Sequence, residues 1–515
     1  MLTTIKNITR LTKIFTVLAK YDALFFVREI KAFPIAYRIA KLVSPKKYSK
    51  VKGLREGERL CLAFQELGPT FIKLGQALSV RSDIVGEEVS NDLSKLQDNL
   101  PPFDTEAAKE IIEKELGQTT EALYKTFNEI PVAAASIAQV HFATDFKGNK
   151  LAVKVLRPNV KQRFDKDLSL FYWIAQKVDS NLSKYKRLRL IETVDTFAKS
   201  TLIEMDFTFE AAAASKIREN FEGDEEIRVP LIYWDKTSEK VLTLERFEGV
   251  QINDISALKK AGLNPTDILK KSTNIFMKQT LRDGFFHADM HPGNVLVDKD
   301  GKLCIFDFGI VGRLDRKTKI FLAEMLLGFL QGDYEKVSDI HFEAGYIPKD
   351  QDRALFAQAC RSIGEPIFDL PQSEISIARL LQKLFKVTEQ FNMKTQPQLL
   401  LLQKTMMMAE GIGRKLNPDI NFWELSRELI EDWGRENLGP KARVEDKFKD
   451  SMQAFNKLTD AALNLDKIIT DKGFIIHPET INLLRGKRKY GFGHGVVFAL
   501  ISIGLVYSVA LWLTS

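Results

Sequence analysis

Cysteine and histidine are both scarce in this chain. Its 515 residues include three cysteines and six histidines, and Cys61, Cys304 and Cys360 show neither paired spacing nor the spacing of metal ligands. A disulfide framework and a cysteine-based zinc module are therefore excluded as the basis of the fold. The pattern indicates a reducing compartment and gives no support for cysteine catalysis.

A strong net charge and repetition are also missing. The formal net charge is +7, the apolar fraction is 45%, and no internal repeat or nucleic-acid-reading motif stands out. No nucleic acid is therefore expected as a partner, whereas a mildly basic protein can contact anionic lipid. The length exceeds that of one usual hydrophobic core and predicts two or more cooperating domains.

A long apolar run occurs near the C-terminal end. Residues 496–513 carry no charge and would rise about 27 Å as a helix, close to the hydrocarbon thickness of a bilayer. We expect a single membrane anchor there, and the alternative is a buried core helix. The amphipathic pattern of residues 1–50 predicts a helix that lies on a membrane or, as we favour, packs on the protein body. Basic residues before the apolar run predict a cytoplasmic side, namely Arg485, Lys487, Arg488 and Lys489.

Two acidic motifs in the middle of the chain have the spacing of a phosphoryl-transfer site. Asp289 follows His287-Ala288, Asn294 comes shortly after it, and Asp307-Phe308-Gly309 follows. In this pattern Asp289 orients or deprotonates the attacking hydroxyl, while Asn294 and Asp307 hold Mg²⁺ against the phosphates of ATP. Residues 295–306 predict two short strands around an Asp-Gly turn. Such a hairpin would set both metal ligands side by side.

Two other interpretations of this region stay open at the level of sequence. His287 can be a satisfied histidine in an ordinary Asp-rich turn. Alternatively, His287, Asp289 and His291 can be the zinc or iron ligands of a metal-dependent hydrolase. No further histidine-rich cluster supports the hydrolase. The kinase-like spacing of both motifs favours phosphoryl transfer.

A nucleotide-binding loop is predicted upstream, although it contains no glycine. Residues 133–140 fit the frame G-x-G-x-x-G-x-V with alanine at each glycine position. Alanine lets the backbone approach phosphate but resists the positive φ angles that glycine adopts freely. Lys154 lies in a predicted strand, as the phosphate-binding lysine of a kinase does. The predicted nucleotide contacts are Ala133, Ala134, Ala135, Ser136, Ile137, Ala138, Val140 and Lys154.

The helical region beyond this strand includes an acidic segment that contains Glu204, Asp206 and Glu210. A kinase needs one helix glutamate to pair with its strand lysine and hold it towards the phosphates. Glu210 lies about one helical turn beyond Asp206 and is the predicted partner of Lys154. Glu204 and Asp206 are left for another role.

With these motifs in this order, the chain resembles the UbiB/AarF-domain family of atypical kinases, which acts in ubiquinone biosynthesis. The resemblance covers about residues 50–345. The chain is similar especially to bacterial members of the family with hydrophobic C-termini. It includes a Lys73-x-Gly75-Gln76 motif, which by itself would be only a polar helix face. An Ala-Pro-Glu motif, typical of the peptide-docking segment of protein kinases, does not follow Asp307.

The resemblance implies an α+β fold with two protein-kinase-like lobes, in which helices around Lys73 and Gln76 cover the place of a peptide substrate. Lys73 would engage Glu204 and Asp206 there, and these four residues would be regulatory. The alanine loop would disfavour self-phosphorylation. ATP and Mg²⁺ are the implied cofactors, with ATPase activity that responds to membrane lipids or quinone-like phenols. The resemblance to many bacterial members implies two hydrophobic membrane spans, whereas this sequence shows one clear span. The four-residue spacing of Gly491 and Gly495 suits a close helix contact in a homodimer.

We therefore expect six segments. Residues 1–50 are an amphipathic N-terminus, 51–130 a helical extension, and 131–249 a kinase-like N-terminal lobe with a helical insertion. Residues 250–437 are the C-terminal lobe, 438–489 a linker and helical stalk, and 490–515 a transmembrane anchor.

The expected function is that of a membrane-anchored atypical kinase or ATPase of the bacterial inner membrane, with a cytoplasmic catalytic domain. It would support ubiquinone synthesis by making quinone or polyprenyl-phenol intermediates accessible, in contact with membrane lipids and other enzymes of that synthesis. One alternative is a small-molecule or lipid kinase, because His291-Pro292 stands where protein kinases usually carry a lysine. Another is a nucleotide-gated scaffold without catalysis.

Overall fold

The computed structural model describes residues 2–25, 51, 53–79, 85–94, 96, 100–181, 190–368, 387, 390–393, 396–420, 422–438, 469–470 and 473–474. The chain divides into two compact units, Met1–Arg435 and Glu436–Ser515. The predicted anchor at 496–513 lies outside the described residues. Within the described part of the chain, no helix combines the length and apolar character needed to cross a bilayer.

The N-terminal helices form a cluster of their own. They are α1 (Leu2–Lys20), α2 (Glu56–Leu67), α3 (Pro69–Leu78) and α4 (Glu87–Leu93). α1 buries Ile14, Val17 and Leu18 in this cluster, so the packing predicted for the start of the chain is observed for α1. α3 approaches α2 closely at Gly75, where an added Cβ would lie 2.8 Å from Phe64 Cδ2. Only glycine leaves room for this contact.

The N-terminal lobe is built on an antiparallel sheet with strand order β1-β3-β4-β6, and β2 pairs with β3. Lys154 lies on the central strand, opposite Val140 on one side and Leu242 on the other. The elements of this lobe are α5 (Thr105–Leu116), α6 (Thr120–Leu123), β1 (Thr126–Phe127), β2 (Ala133–Ala134), β3 (Ala138–Thr144), β4 (Lys150–Leu156), α7 (Val160–Asn181), α8 (Leu190–Glu204), α9 (Phe207–Asn220) and β6 (Val241–Glu245). β5 (Ile227–Arg228) lies between α9 and β6 in the sequence but pairs with β10 in the sheet of the C-terminal lobe.

The end of the predicted helical extension belongs to this lobe. Ala108 and Ile112 of α5 are fully buried against Leu151 and Val153 of β4, and β1 extends the sheet. Successive side chains of β4 point to opposite faces of the sheet, and α5 covers the face that is apolar. The structure therefore moves residues 105–127 from the predicted 51–130 segment to the N-terminal lobe.

The C-terminal lobe carries a second sheet, with strand order β5-β10-β9-β7. The predicted hairpin is present, because Leu303 pairs with Val297 and Ile305 with Val295 in antiparallel register. A separate pair, β8 with β11, supports the catalytic loop. The elements are β7 (Val250–Gln251), α10 (Ile255–Lys260), α11 (Pro265–Met277), a π-helical segment (Lys278–Asp283), β8 (Phe285–His287), β9 (Val295–Val297), β10 (Leu303–Ile305) and β11 (Val311–Arg313).

Helices follow these strands: α12 (Arg316–Leu330), α13 (Tyr334–Glu343), α14 (Arg353–Phe368), α15 (Pro397–Leu416) and α16 (Phe422–Asn437). α15 crosses between two apolar cores, since Leu402 and Ala409 pack with Phe286 while Ile412 joins the core shared by both lobes.

The predicted helical stalk at 438–489 differs from the structure where residues are described. β12 (Ile469–Thr470) and β13 (Gly473–Phe474) form an antiparallel pair. The β-branched residues of β12 and the glycine that begins β13 favour a hairpin over a helix.

Candidate nucleotide and phosphoryl-transfer site

Lys154 and Glu210 form an ion pair between β4 and the first turn of α9. Lys154 Nζ lies 2.9 Å from both carboxylate oxygens of Glu210 and 3.5 Å from Asp307 Oδ2. The ammonium also lies over the ring of Phe207, 5.3 Å from its centroid. The structure therefore brings together the strand lysine, the helix glutamate and the Asp-Phe-Gly aspartate.

Burial and neighbouring charges shift the pKa values of Lys154, Glu210 and Asp307 in different directions. Burial opposes the charge on Lys154, but Asp307 and Glu210 outweigh it and hold the pKa of Lys154 above its ordinary value. Burial raises the pKa of Glu210, and the Lys154 ammonium counters only part of that effect. Partial burial acts in the same direction on Asp307, whose side chain is 41% exposed, yet Lys154 and the Gly309 N–H hold the pKa of Asp307 below its usual range. Asp307 is thus kept ionised beside the lysine.

The alanine-rich loop closes tightly without any left-handed residue. Ala133 and Ala134 pair with β3, and Ala135 N–H donates to the Ala138 carbonyl at 2.8 Å. None of these described alanines has a positive φ. The Arg157 guanidinium donates to the Ala135 carbonyl at 2.9 Å and fixes the turn.

The remaining predicted contacts of this loop occupy different environments. Ser136, Ile137 and Ala138 are buried, while Val140 is half-buried on β3. The Ser136 hydroxyl is buried and has no hydrogen-bond partner among the described residues. The loop offers its backbone, more than its side chains, to a neighbouring ligand.

His287 anchors the catalytic loop to the Asp-Phe-Gly segment. Its Nε2 donates to the Asp307 carbonyl, and its Nδ1 accepts from Asp289 N–H at 3.0 Å. Burial lowers the pKa of His287, in keeping with a neutral ring whose two nitrogens play opposite roles. Both nitrogens are therefore engaged, and the turn with a satisfied histidine coexists with the kinase-like arrangement.

A metal-hydrolase site has no support in this geometry. His287 uses both ring nitrogens, and the exposed His291 accepts a hydrogen bond from Gly293 N–H at 3.1 Å. Across the described ranges, no group of three or more His, Cys, Asp or Glu side chains is arranged to hold a metal ion.

Asn294 and Asp307 nevertheless offer oxygen ligands on adjoining segments. Asn294 Nδ2 donates to the Asp289 carbonyl at 3.1 Å and to Asp289 Oδ2 at 3.3 Å, which leaves its Oδ1 as an acceptor. The Asn294 carbonyl accepts from Phe306 N–H at 3.4 Å, so Asp307 comes next to Asn294. Mg²⁺ in nucleotide sites takes a few protein oxygens and fills its octahedron with phosphate and water. The pair fits that requirement.

The Lys73 helix reaches the same region. Lys73 Nζ lies 2.6 Å from Glu204 Oε2, and both side chains are largely buried. Lys73 also contributes to holding the pKa of Asp307 low, after Lys154, Gly309 and His287. Asp206 caps α9, because its Oδ1 accepts from Thr208 N–H at 3.0 Å and from the Thr208 hydroxyl at 2.6 Å. Gln76 is half-buried on α3.

Two residues that the sequence analysis missed touch the catalytic loop from α15. Lys404 Nζ lies 3.8 Å from Asp289 Oδ1. The Thr405 hydroxyl donates to the Leu401 carbonyl of its own helix at 2.9 Å and also lies 3.2 Å from the Ala288 carbonyl. Local sequence carries no signal for this contact, because it is made by tertiary packing between distant segments.

Comparisons with known proteins identify the family of this chain. Residues 95–341 match the ABC1 atypical kinase-like domain, and residues 360–421 match the UbiB helical domain. A protein of Marinobacter nauticus named "Probable protein kinase UbiB" is 41% identical over 443 residues, which cover 85% of this chain and 81% of that protein. Its namesake in Aeromonas hydrophila is 42% identical over 399 residues, covering 76% and 73%.

A solved structure shares the fold. The structure titled "The complex structure of Rv3197-erythromycin from Mycobacterium tuberculosis" matches with a TM-score of 0.51 and 24% sequence identity. The match covers 69% of this chain and 91% of that one. The match to the ABC1 atypical kinase-like domain includes the segments that carry Lys154, Asp289 and Asp307.

Proposed function

Because the chain belongs to the UbiB family of ABC1 atypical kinase-like proteins, we propose that it transfers the γ-phosphoryl group of Mg-ATP in support of ubiquinone biosynthesis. The acceptor is water in an ATPase or a hydroxyl group in a kinase. One observation carries the proposal: Lys154, Asp307, His287, Asp289 and Asn294 are linked by consecutive contacts. Such a connected set is what positioning a nucleotide and an acceptor requires.

Each residue has a role that follows from its contacts. Glu210 holds Lys154 in place for the α- and β-phosphates, and Asn294 and Asp307 provide the oxygens for the metal ion. When bound, Mg²⁺ neutralises negative charge on the β- and γ-phosphates. The Asp289 side chain is 34% exposed, so its carboxylate can reach and orient the acceptor.

The proposal also includes a membrane setting. The support is the apolar run at 496–513 and the basic residues before it, all of which lie outside the described residues. On this proposal the catalytic lobes face the cytoplasm at the bacterial inner membrane. Their partners would be membrane lipids, quinone or polyprenyl-phenol intermediates and other enzymes of the synthesis, with Gly491 and Gly495 available for a homodimer contact.

ATP turnover by the full-length protein tests the reaction. Purified wild-type, Asp307→Asn and Asp300→Asn proteins are given γ-labelled ATP with Mg²⁺, with and without anionic liposomes. Asp300 is an exposed aspartate of the hairpin turn and controls for the loss of one charge. Loss of a metal ligand should lower turnover by about 100-fold or more in Asp307→Asn, because the charge of the transition state is no longer neutralised. Asp300→Asn should behave as the wild type.

The fate of the label separates the possible functions. Release as free phosphate supports an ATPase, and transfer into a lipid extract supports a lipid kinase. Turnover that is equal in wild type and Asp307→Asn would refute the proposal. A nucleotide-gated scaffold predicts instead that Asp289→Asn, which retains ATP binding, still complements a deletion strain.

A further inference from the structure

The catalytic loop brings no cation to its own aspartate. Met290, His291, Pro292 and Gly293 separate Asp289 from Asn294. Met290 is buried in the core shared by both lobes, and His291 is exposed and bonded to the backbone of Gly293. Phosphoryl transfer places negative charge between nucleotide and acceptor, next to the general base. A positive charge beside Asp289 must therefore come from another element.

Helix α15 supplies one. Lys404 Nζ lies 3.8 Å from Asp289 Oδ1, and the Lys404 side chain is 28% exposed. On the other side of the carboxylate, Asn294 Nδ2 lies 3.3 Å from Oδ2. The two carboxylate oxygens of Asp289 thus face one partner each, an ammonium and an amide, and this pairing limits rotation of the carboxylate.

The position of Lys404 is fixed by its neighbour. Thr405 is fully buried, and its hydroxyl contacts the carbonyl of Ala288, the residue before Asp289. Consecutive residues of α15 therefore contact consecutive residues of the catalytic loop. Leu402 and Ala409, on either side along the helix, are buried in the core that contains Phe286 and Ala288. α15 cannot slide along the loop without breaking this packing.

We propose that Lys404 is a positioning residue for phosphoryl transfer, acting through the Asp289 carboxylate. The inference rests on the proposed function and extends it, because it makes the region matched by the UbiB helical domain part of the reacting centre. An ion pair of this exposure contributes little to folding. Its effect should therefore appear in the rate of the chemical step and not in stability.

The test compares kinetics of three full-length variants in the presence of anionic liposomes. Lys404→Met removes the charge, Lys404→Arg keeps it, and Lys415→Met removes an exposed charge from the last turn of the same helix. In Lys404→Met, kcat should fall by about 10- to 100-fold, as expected for a misoriented general base, with the KM for Mg-ATP within about twofold of wild type. Lys404→Arg should recover most of kcat, and Lys415→Met should equal wild type. Lys404→Gln replaces Lys404→Met if the latter fails to fold.

Three results would overturn the assignment of Lys404. These are a wild-type kcat in Lys404→Met, a Lys404→Arg variant as slow as Lys404→Met although folded, and a rise in KM that accounts for the whole loss of kcat/KM. Asp307→Asn, assayed in parallel, separates this failure from that of the proposed function. If wild type shows no turnover that depends on Asp307, both proposals fall; if it does and Lys404→Met matches wild type, only the positioning role falls.

Discussion

Replacing Lys154 should lower the free energy of unfolding more than replacing Glu210, its partner in the buried ion pair. Lys154 is 15% exposed and Glu210 only 7% exposed. Lys154 has a second carboxylate, Asp307, at 3.5 Å. Glu210→Gln therefore leaves the ammonium with a partner, whereas Lys154→Met leaves a buried carboxylate without the ammonium that neutralises it. The second change should destabilise the protein more.

The magnitudes follow from these contacts. Removing one member of a buried pair costs about 3–5 kcal/mol when the other stays charged and unpaired, so we expect about 3 kcal/mol for Lys154→Met near neutral pH. Attraction across 3.5 Å at an effective dielectric constant of about 20 is about 5 kcal/mol before screening. The Asp307 side chain is 41% exposed, so solvent reduces this value, but enough remains to hold Lys154. For Glu210→Gln we expect about 1.5–2 kcal/mol, the lower part of the scale of a hydrogen bond to a charged group.

The cost of Lys154→Met should also depend on pH. Burial raises the pKa of Glu210, and without Lys154 only the backbone hydrogen bond from Phe308 still counters that effect, while the charge of Asp307 adds to it. A folded-state pKa above the unfolded value gives stability that is present at low pH and lost as pH rises through the folded pKa. The gap in free energy of unfolding between wild type and Lys154→Met should therefore be small near pH 5 and widen towards pH 8.

Urea unfolding followed by circular dichroism measures these differences. The double variant Lys154→Met/Glu210→Gln should be more stable than Lys154→Met, because it removes the orphaned charge. The reasoning is wrong if Glu210→Gln lowers the free energy of unfolding as much as Lys154→Met does, because Asp307 would then not hold Lys154. It is also wrong if the double variant is no more stable than Lys154→Met.

Three further substitutions test the packing and the polar core. Gly312→Ala should lower the free energy of unfolding by about 1–3 kcal/mol, because the added Cβ would lie 2.1 Å from the buried ring of Phe286. Gly411→Ala in α15 should raise the free energy of unfolding by about 0.5–1 kcal/mol, because its Cβ meets no atom within 4 Å and alanine favours the helix. Thermal unfolding of both variants checks that the two changes have opposite signs. Burial lowers the pKa of His141, so the unfolded chain binds a proton more readily, and stability should fall as pH drops below about 6.5 towards the folded pKa. His141→Phe should flatten this slope in urea midpoints measured from pH 7.5 to 5.5; an unchanged slope would exclude His141 as its source.

The sequence carried the family, the kinase-like fold and much of the site. Family membership is confirmed by relatives at about 41% identity, and the α+β kinase-like architecture is confirmed in outline. The hairpin at 295–306 could be predicted because alternation and an Asp-Gly turn are local signals. Glu210 could be chosen because helix periodicity relates it to Asp206.

What could not be predicted depends on tertiary contacts. α5 packs on the N-terminal sheet and β1 pairs in it, because β4 has an apolar face that must be covered. The sequence of residues 105–127 alone does not indicate that this face exists. The capping role of Asp206 depends on where α9 begins, and helix ends are hard to place from sequence. Lys404 meets Asp289 only because α15 packs under the catalytic loop. The membrane anchor stays a prediction, since 496–513 lies outside the described residues.

The candidate site takes its lysines from three separate parts of the chain, and each lysine faces an acidic residue from another part. Lys73 of the N-terminal helices meets Glu204, Lys154 of the sheet meets Glu210 and Asp307, and Lys404 of α15 meets an acid of the catalytic loop. The charges balance only while all three parts stay docked. A shift of the Lys73 helix or of α15 would therefore change the field around Asp307 or the orientation of Asp289 without touching the nucleotide loop. The nucleotide loop, in contrast, is an alanine turn held by Arg157 and free of left-handed residues.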